Sequence, residues 1–330
     1  LALIESLAKG SRAMPVFPGE VIKNYHIGFD FILATLYRLT GVSPVNLYFQ
    51  IIPPLLALSI GILTYKFVYE WTNSKKSAFW STFFVYFGGS FGWVLALVRD
   101  GDLGGESTFW SQQAISTLIN PPFALSLVLI LSGLIFLLRL KRGSKIYDLG
   151  LSIILFGVLI QVKVYASILV LCGLGATLIW SMFLKTESSK SISKRALLAL
   201  FLAVFSLSVV LFIPLGKVDR DLLVFQPFWF LETMMGLTDR LGWLKFHSAM
   251  TTYRSGNIWT KAIPAYLVAL AIFWIGNLGT RIIKEILVIN WIRNAKSVGW
   301  IEVFLSTVIT AGIIIPLLFL QKGTPWNTIQ

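Results

Sequence analysis

The chain has 330 residues, 56% of them hydrophobic and 14% aromatic, with a mean hydropathy of +0.78 and a formal net charge of +13. A water-soluble domain of this size does not tolerate that composition, so lipid is its main solvent. A hydrocarbon core about 30 Å thick needs roughly 20 helical residues per crossing, which leaves room for about eight spans. The single cysteine, Cys172, lies in an apolar stretch and excludes an intrachain disulfide or a Cys-rich zinc site.

In chain order, LALIESLAKG is amphipathic, and HIGFDFILATLYRL over 26–39 is apolar but too short to cross a bilayer at 1.5 Å per residue. It reads as an interfacial helix that carries His26, Asp30, Ala34 and Arg38 on one face and points Phe29, Leu33 and Leu36 to lipid or protein. Spans follow at 47–71, 78–98, 121–140, 147–163, 164–184, 196–215, 262–281 and 299–320. Residues 109–120 are interrupted by Gln112, Gln113 and Asn120, which makes them a re-entrant or surface helix; Pro121 and Pro122 then open the third span, since proline is favourable where its missing N–H would be unpaired anyway. The glycines of FVYFGGSFGW lie inside the second span and are read as sites of close helix packing. The spans meeting around Lys163 are short, and Gln161, Lys163 and Tyr165 form a tight outer hairpin beside a cavity. FQPFWFLETMMGLTDRLGWLKF is apolar but studded with Glu232, Asp239, Arg240 and Lys245, which favours interfacial helices capping that cavity over a hairpin dipping into the bilayer.

The fold class is therefore all-α: a polytopic integral membrane helical bundle with interfacial helices in its outer loops. The chain forms one membrane-embedded module over 1–330, with a first outer loop (1–46), core spans (47–215), an outer cap loop (216–261) and further spans (262–330). It has no initiator Met and stops directly after a span, so it reads as an internal fragment, incomplete at both ends, and as inactive by itself. Loops TNSKKSA, KRGSK, KTESSKSISKR and 281–296 hold most of the clustered Lys and Arg and belong in the cytoplasm by the positive-inside bias. The N-terminal stretch, DGDLGGES and 217–261 then face outward, with about ten of the fifteen carboxylates. The net charge is thus a topology signal with contact to anionic membrane lipids, and nucleic acid is excluded as a partner because no basic patch is interleaved with a soluble fold. P-loop, G-x-S-x-G, HExxH and dinucleotide motifs are absent.

The order LALIESLAKG, PVFPGEVIKNYHIGFDFILATLYRLTGVSP, a long span with Pro53-Pro54, FVYFGGSFGW, SQQAISTLINPPFALSL, QVKVYAS and FLQKGTPWNTIQ resembles polytopic GT-C-type glycosyltransferases over essentially the whole chain, and is most similar to their uncharacterised bacterial branch. The resemblance implies transfer of a sugar from a polyprenyl-phosphate carrier to a glycan, lipid or protein acceptor at the outer face of the cytoplasmic (inner) membrane. It also implies a catalytic carboxylate in the first outer loop. The chain begins just after the position where that carboxylate is expected; the first-loop positions that remain are Glu5, Glu20, His26 and Asp30.

On this reading Asp30 beside His26 is the best candidate to deprotonate the acceptor hydroxyl, with Glu20 second. A departing polyprenyl phosphate needs its negative charge stabilised, which points to Lys163 and Lys322, and Gln112 and Tyr165 join them as substrate-binding candidates. Trp326, Trp243 and Trp229 are able to stack on sugar faces. No metal site is legible, and a divalent cation stays open as a cofactor. A lipid-linked sugar flippase, which should show paired half-repeats that the sequence lacks, is the alternative function, together with a non-catalytic membrane scaffold.

Overall fold

A computed structural model of the protein describes residues 1–13, 15, 22, 25–105, 108–109, 120–141, 146–183, 192–213, 223–293 and 298–321. The chain is all-α apart from one two-stranded ribbon among the described residues. Among the described residues six helices are long and apolar enough to cross a membrane: Pro44–Thr72, Pro121–Leu140, Val164–Phe183, Lys194–Phe212, Trp259–Ile283 and Trp300–Leu318. The chain divides into two compact units, one of 1–83, 115–219 and 293–309, the other of 84–114, 220–292 and 310–330.

In the first unit, α1 (Ala2–Ala8) packs on α2 (Gly28–Thr40), and α2 ends at Gly41, whose φ of 72° suits a residue without a side chain. The first span, α3 (Pro44–Thr72), starts where local chemistry dictates: Ser43 Oγ accepts the N–H of Asn46 at 3.3 Å, and Pro44 occupies the first turn. The helix then widens into a π-turn over Leu47–Ile51. Pro53 and Pro54 follow it, and neither can donate to the carbonyl a turn before it, so the wider turn lies where the regular bonding ladder lacks donors. Next come α4 (Lys75–Phe87), α5 (Gly92–Asp100), α6 (Pro121–Lys141), α7 (Ile146–Gly157), α8 (Leu159–Val162), α9 (Val164–Phe183) and α10 (Lys194–Phe212). As expected, α6 opens at Pro121-Pro122, and Asn120 Oδ1 accepts the Phe123 N–H at 3.4 Å.

Two stretches read as single spans are interrupted. Residues 78–98 form a pair, α4 and α5, bent by 41°, because the glycines of FGGSFG end the first helix instead of lying inside it. Residues 147–163 form α7 and the single turn α8, and Lys163 after them is extended, with φ −153° and ψ 111°.

The first unit's core runs from Phe67 and Leu134 through Phe156, Leu159 and Leu174 to Phe304. Its helices meet at small residues: Gly133 faces the Phe156 ring, Gly157 faces Leu207 and Gly173 faces Phe304, each too closely for a Cβ to fit. Buried hydroxyls are paired within it, Ser152 Oγ donating to Gly133 O at 3.2 Å and Thr177 Oγ1 to Gly173 O at 2.7 Å, as a water-free environment demands.

The second unit contains β1 (Leu223–Phe225), α11 (Trp229–Gly236), α12 (Leu244–Ser255), α13 (Trp259–Leu278), α14 (Lys284–Arg293, whose last residue counts with the first unit) and β2 (Phe319–Gln321), which follows the last span, α15 (Trp300–Leu318). The strands pair antiparallel, with Val224 opposite Leu320. Phe230, Leu231, Met234, Met235, Met250 and Phe273 form its core. The segment 216–261, expected to be a cap, holds two short helices and a strand within its described residues, and none of these is of span length.

Candidate functional site

The site forms where the N-terminus of α2 lies against α8 and the break at Lys163. Gly28 permits that approach: a Cβ there would lie 2.7 Å from the Gln161 carbonyl oxygen and 2.9 Å from Gln161 Cβ. The contact sets His26 from the first loop near Lys163 of the hairpin, with Tyr25 and Asp30 paired beside it on the α2 side.

Asp30 is 7% and Lys163 6% exposed, low values for charged side chains. Lys163 has no ion-pair partner among the described residues; its ammonium lies 5.3 Å from the centre of the Tyr165 ring. Gln161 Nε2 donates to the Leu211 carbonyl, while its Oε1 and the Tyr165 hydroxyl are buried without a hydrogen-bond partner among the described residues. Burial, with the Lys163 charge second, pushes the His26 imidazole down to about 4, so His26 is neutral at ordinary pH. Burial pushes the Asp30 carboxyl up from its ordinary value, opposed in part by the Tyr25 hydroxyl, which reaches it. The Tyr25 ring also leans on His26 with centroids 5.0 Å apart.

Three of the residues expected from the sequence, His26, Lys163 and Tyr165, therefore come together, while Asp30 lies on α2 with the Tyr25 hydroxyl as its partner. Glu20, Gln112, Lys322 and Trp326 lie outside the described residues. His26 is placed differently from expectation. The helix begins at Gly28 with Ile27 as its cap, so His26 precedes it and meets Lys163 instead of sharing a helical face with Asp30. Of the tryptophans, Trp243 is half exposed and stacks on Phe246, whereas Trp229 is 5% exposed and donates its indole N–H to the Pro316 carbonyl at 2.8 Å. Glu5 lies on α1. Among the described residues no group of three or more His, Cys, Asp or Glu side chains is arranged to hold a metal ion.

Sequence reasoning left Tyr25 out of the site, and it gave no weight to a second polar cluster, in the other unit. There Glu232 Oε1 takes a charged hydrogen bond from Arg254 Nη1 at 2.6 Å and another from the Tyr266 hydroxyl. The signal available for it was a lone Glu in an otherwise apolar run, FWFLETMM.

These features define an all-α protein with enough long apolar helices to be a multi-pass membrane protein, carrying a buried cation at a helix break and a buried carboxylate in the first turn of α2. Set against protein-family models, curated proteins and solved structures, the chain matches none of them.

Proposed function

We propose that the protein is a GT-C-like membrane glycosyltransferase that moves a sugar from a polyprenyl-phosphate carrier to a hydroxyl acceptor on a glycan, lipid or protein, outside the cytoplasmic membrane. The observation that supports this reading best is Lys163, a buried ammonium without a counter-ion among the described residues, held near His26. A cation kept at such a cost is explained by an anion that arrives with substrate.

In the reaction the acceptor oxygen bonds to the anomeric carbon while the bond from that carbon to the phosphate oxygen breaks. The electron pair leaves with polyprenyl phosphate, and the acceptor proton goes to Asp30. A carboxyl whose pKa is raised by burial is a better base than an exposed one. Lys163 offsets the charge that develops on the phosphate, where a low dielectric strengthens the interaction. Neutral His26, with a free nitrogen lone pair, orients the acceptor hydroxyl.

The test uses the protein in liposomes with radiolabelled polyprenyl-phosphate sugars and membrane acceptors. Asp30→Asn should reduce transfer about 10²- to 10⁴-fold, and Lys163→Met about 10²- to 10³-fold, while Lys163→Met melts no lower than wild type because it removes an uncompensated buried charge. Transfer retained in both variants would sink the assignment of the site. Absence of transfer from any donor, with labelled lipid-linked sugar moving between leaflets, would make the protein a transporter.

A further inference from the structure

The second unit contains a cleft of about 480 Å³, within the range of small-molecule sites, lined by residues that include Gln226, Trp229, Glu232, Gly236, His247 and Leu320. Its carboxylate is fixed before any ligand arrives. Glu232 is held through Oε1 by Arg254 and Tyr266, so its charge is balanced, and its other oxygen accepts no hydrogen bond among the described residues. The His247 ring lies flat over Gly236: a Cβ there would come within 3.0 Å of Nε2 and 3.1 Å of both Cδ2 and Cε1. The Trp229 N–H is occupied by the Pro316 and Phe319 carbonyls, which leaves that residue only ring carbons to offer a ligand.

This lining discriminates between ligand classes. An anion would meet a carboxylate with no lysine or arginine among the lining residues, since Arg254 is engaged behind it. A metal ion would find one carboxylate and one imidazole, fewer ligands than a metal site requires. A neutral ring bearing hydroxyls fits every group: adjacent hydroxyls donate to Glu232, His247 and the Gln226 amide exchange hydrogen bonds with others, and Trp229 with Leu320 covers a C–H face. We propose that this cleft binds a neutral pyranose. The inference stands apart from the transfer reaction above, because a sugar held here is detected by binding without turnover.

The experiment is saturation-transfer NMR on the protein in lipid nanodiscs, free of glycoside detergents. The probes are the methyl glycosides of glucose, mannose, galactose and N-acetylglucosamine at millimolar concentration. Saturation should pass to the ring protons of at least one glycoside, and its Kd should rise about ten- to a hundredfold in Glu232→Gln, the range for losing a hydrogen bond to a charged group. Gly236→Ala, which leaves the Glu232, Arg254 and Tyr266 contacts intact and displaces only the imidazole, should weaken the same glycoside. It keeps the proposal testable if Glu232→Gln fails to fold. Absence of saturation from all four glycosides, or equal affinity in wild type and Gly236→Ala, would overturn the site.

Discussion

Among single residues, His26 and Asp30 titrate in opposing senses, and together they predict an acid response. The imidazole titrates at about 4 in the folded protein against an ordinary 6.5, so the unfolded chain binds its proton first. Its contribution to stability is therefore lost as pH falls from about 6.5 to about 4 and then levels off. Asp30 is raised, so the folded state takes its proton first and gains stability as pH falls through that raised value. Thermal melts in nanodiscs across this range should show wild type weakening towards acid, His26→Gln with a flatter profile and Asp30→Asn with a steeper one. A steep acid loss that persists in His26→Gln would place the responsible proton elsewhere. None of this coupling was legible in the spacing of the two residues. Helical periodicity predicted an i,i+4 pair, but the start of α2 at Gly28 left His26 outside the helix, where burial and, second to it, the charge of Lys163, remote in sequence, set its titration.

For the helices, the sequence was most readable where hydropathy and capping agree. Pro121-Pro122 starts α6, and the spans expected at 164–184, 196–215 and 299–320 appear as Val164–Phe183, Lys194–Phe212 and Trp300–Leu318. Hydropathy averaged over a window passes straight through Gly88, Gly89 and Ser90, because it registers transfer energy and not backbone conformation; the break in 78–98 was invisible to it for that reason. The cluster of Glu232, Arg254 and Tyr266 was equally hidden, since it joins side chains 22 and 34 residues apart that meet only through the packing of α11, α12 and α13. Close approaches between helices give a sharper prediction. Gly28→Ala puts a methyl group 2.7 Å from the Gln161 carbonyl and should cost about 1–3 kcal/mol of stability, as overpacking does. It should also lift α2 from Lys163 and reduce transfer. Gly150→Ala on α7, with nothing within 4 Å of the new Cβ, should match wild type or melt slightly higher. Differential scanning fluorimetry on the two variants decides the point, and a silent Gly28→Ala would mean that α2 does not need this contact.

For the molecule as a whole, charge distribution predicts an orientation. In a Cys172→Ala background, Asp102→Cys and Thr238→Cys should react with a membrane-impermeant maleimide added outside intact cells, whereas Lys76→Cys should react only after permeabilisation. All three positions are exposed, so burial does not confound the result. Labelling of all three from one side would refute the topology.

The ribbon of β1 and β2 constrains how the protein is made. Its strands lie at opposite ends of a long stretch of sequence, and Leu320 on the later strand also lines the cleft beside Glu232. At a ribosomal pace of about 5–20 residues per second, α11 and α12 leave the ribosome roughly 3 to 18 s before the strand that completes their surroundings exists. Through that interval the Trp229 indole N–H lacks the carbonyls of Pro316 and Phe319 that it finally holds. The cleft is thus assembled late in biogenesis, and a nascent chain arrested before Phe319 should expose α11 and α12 to proteases that the finished protein resists.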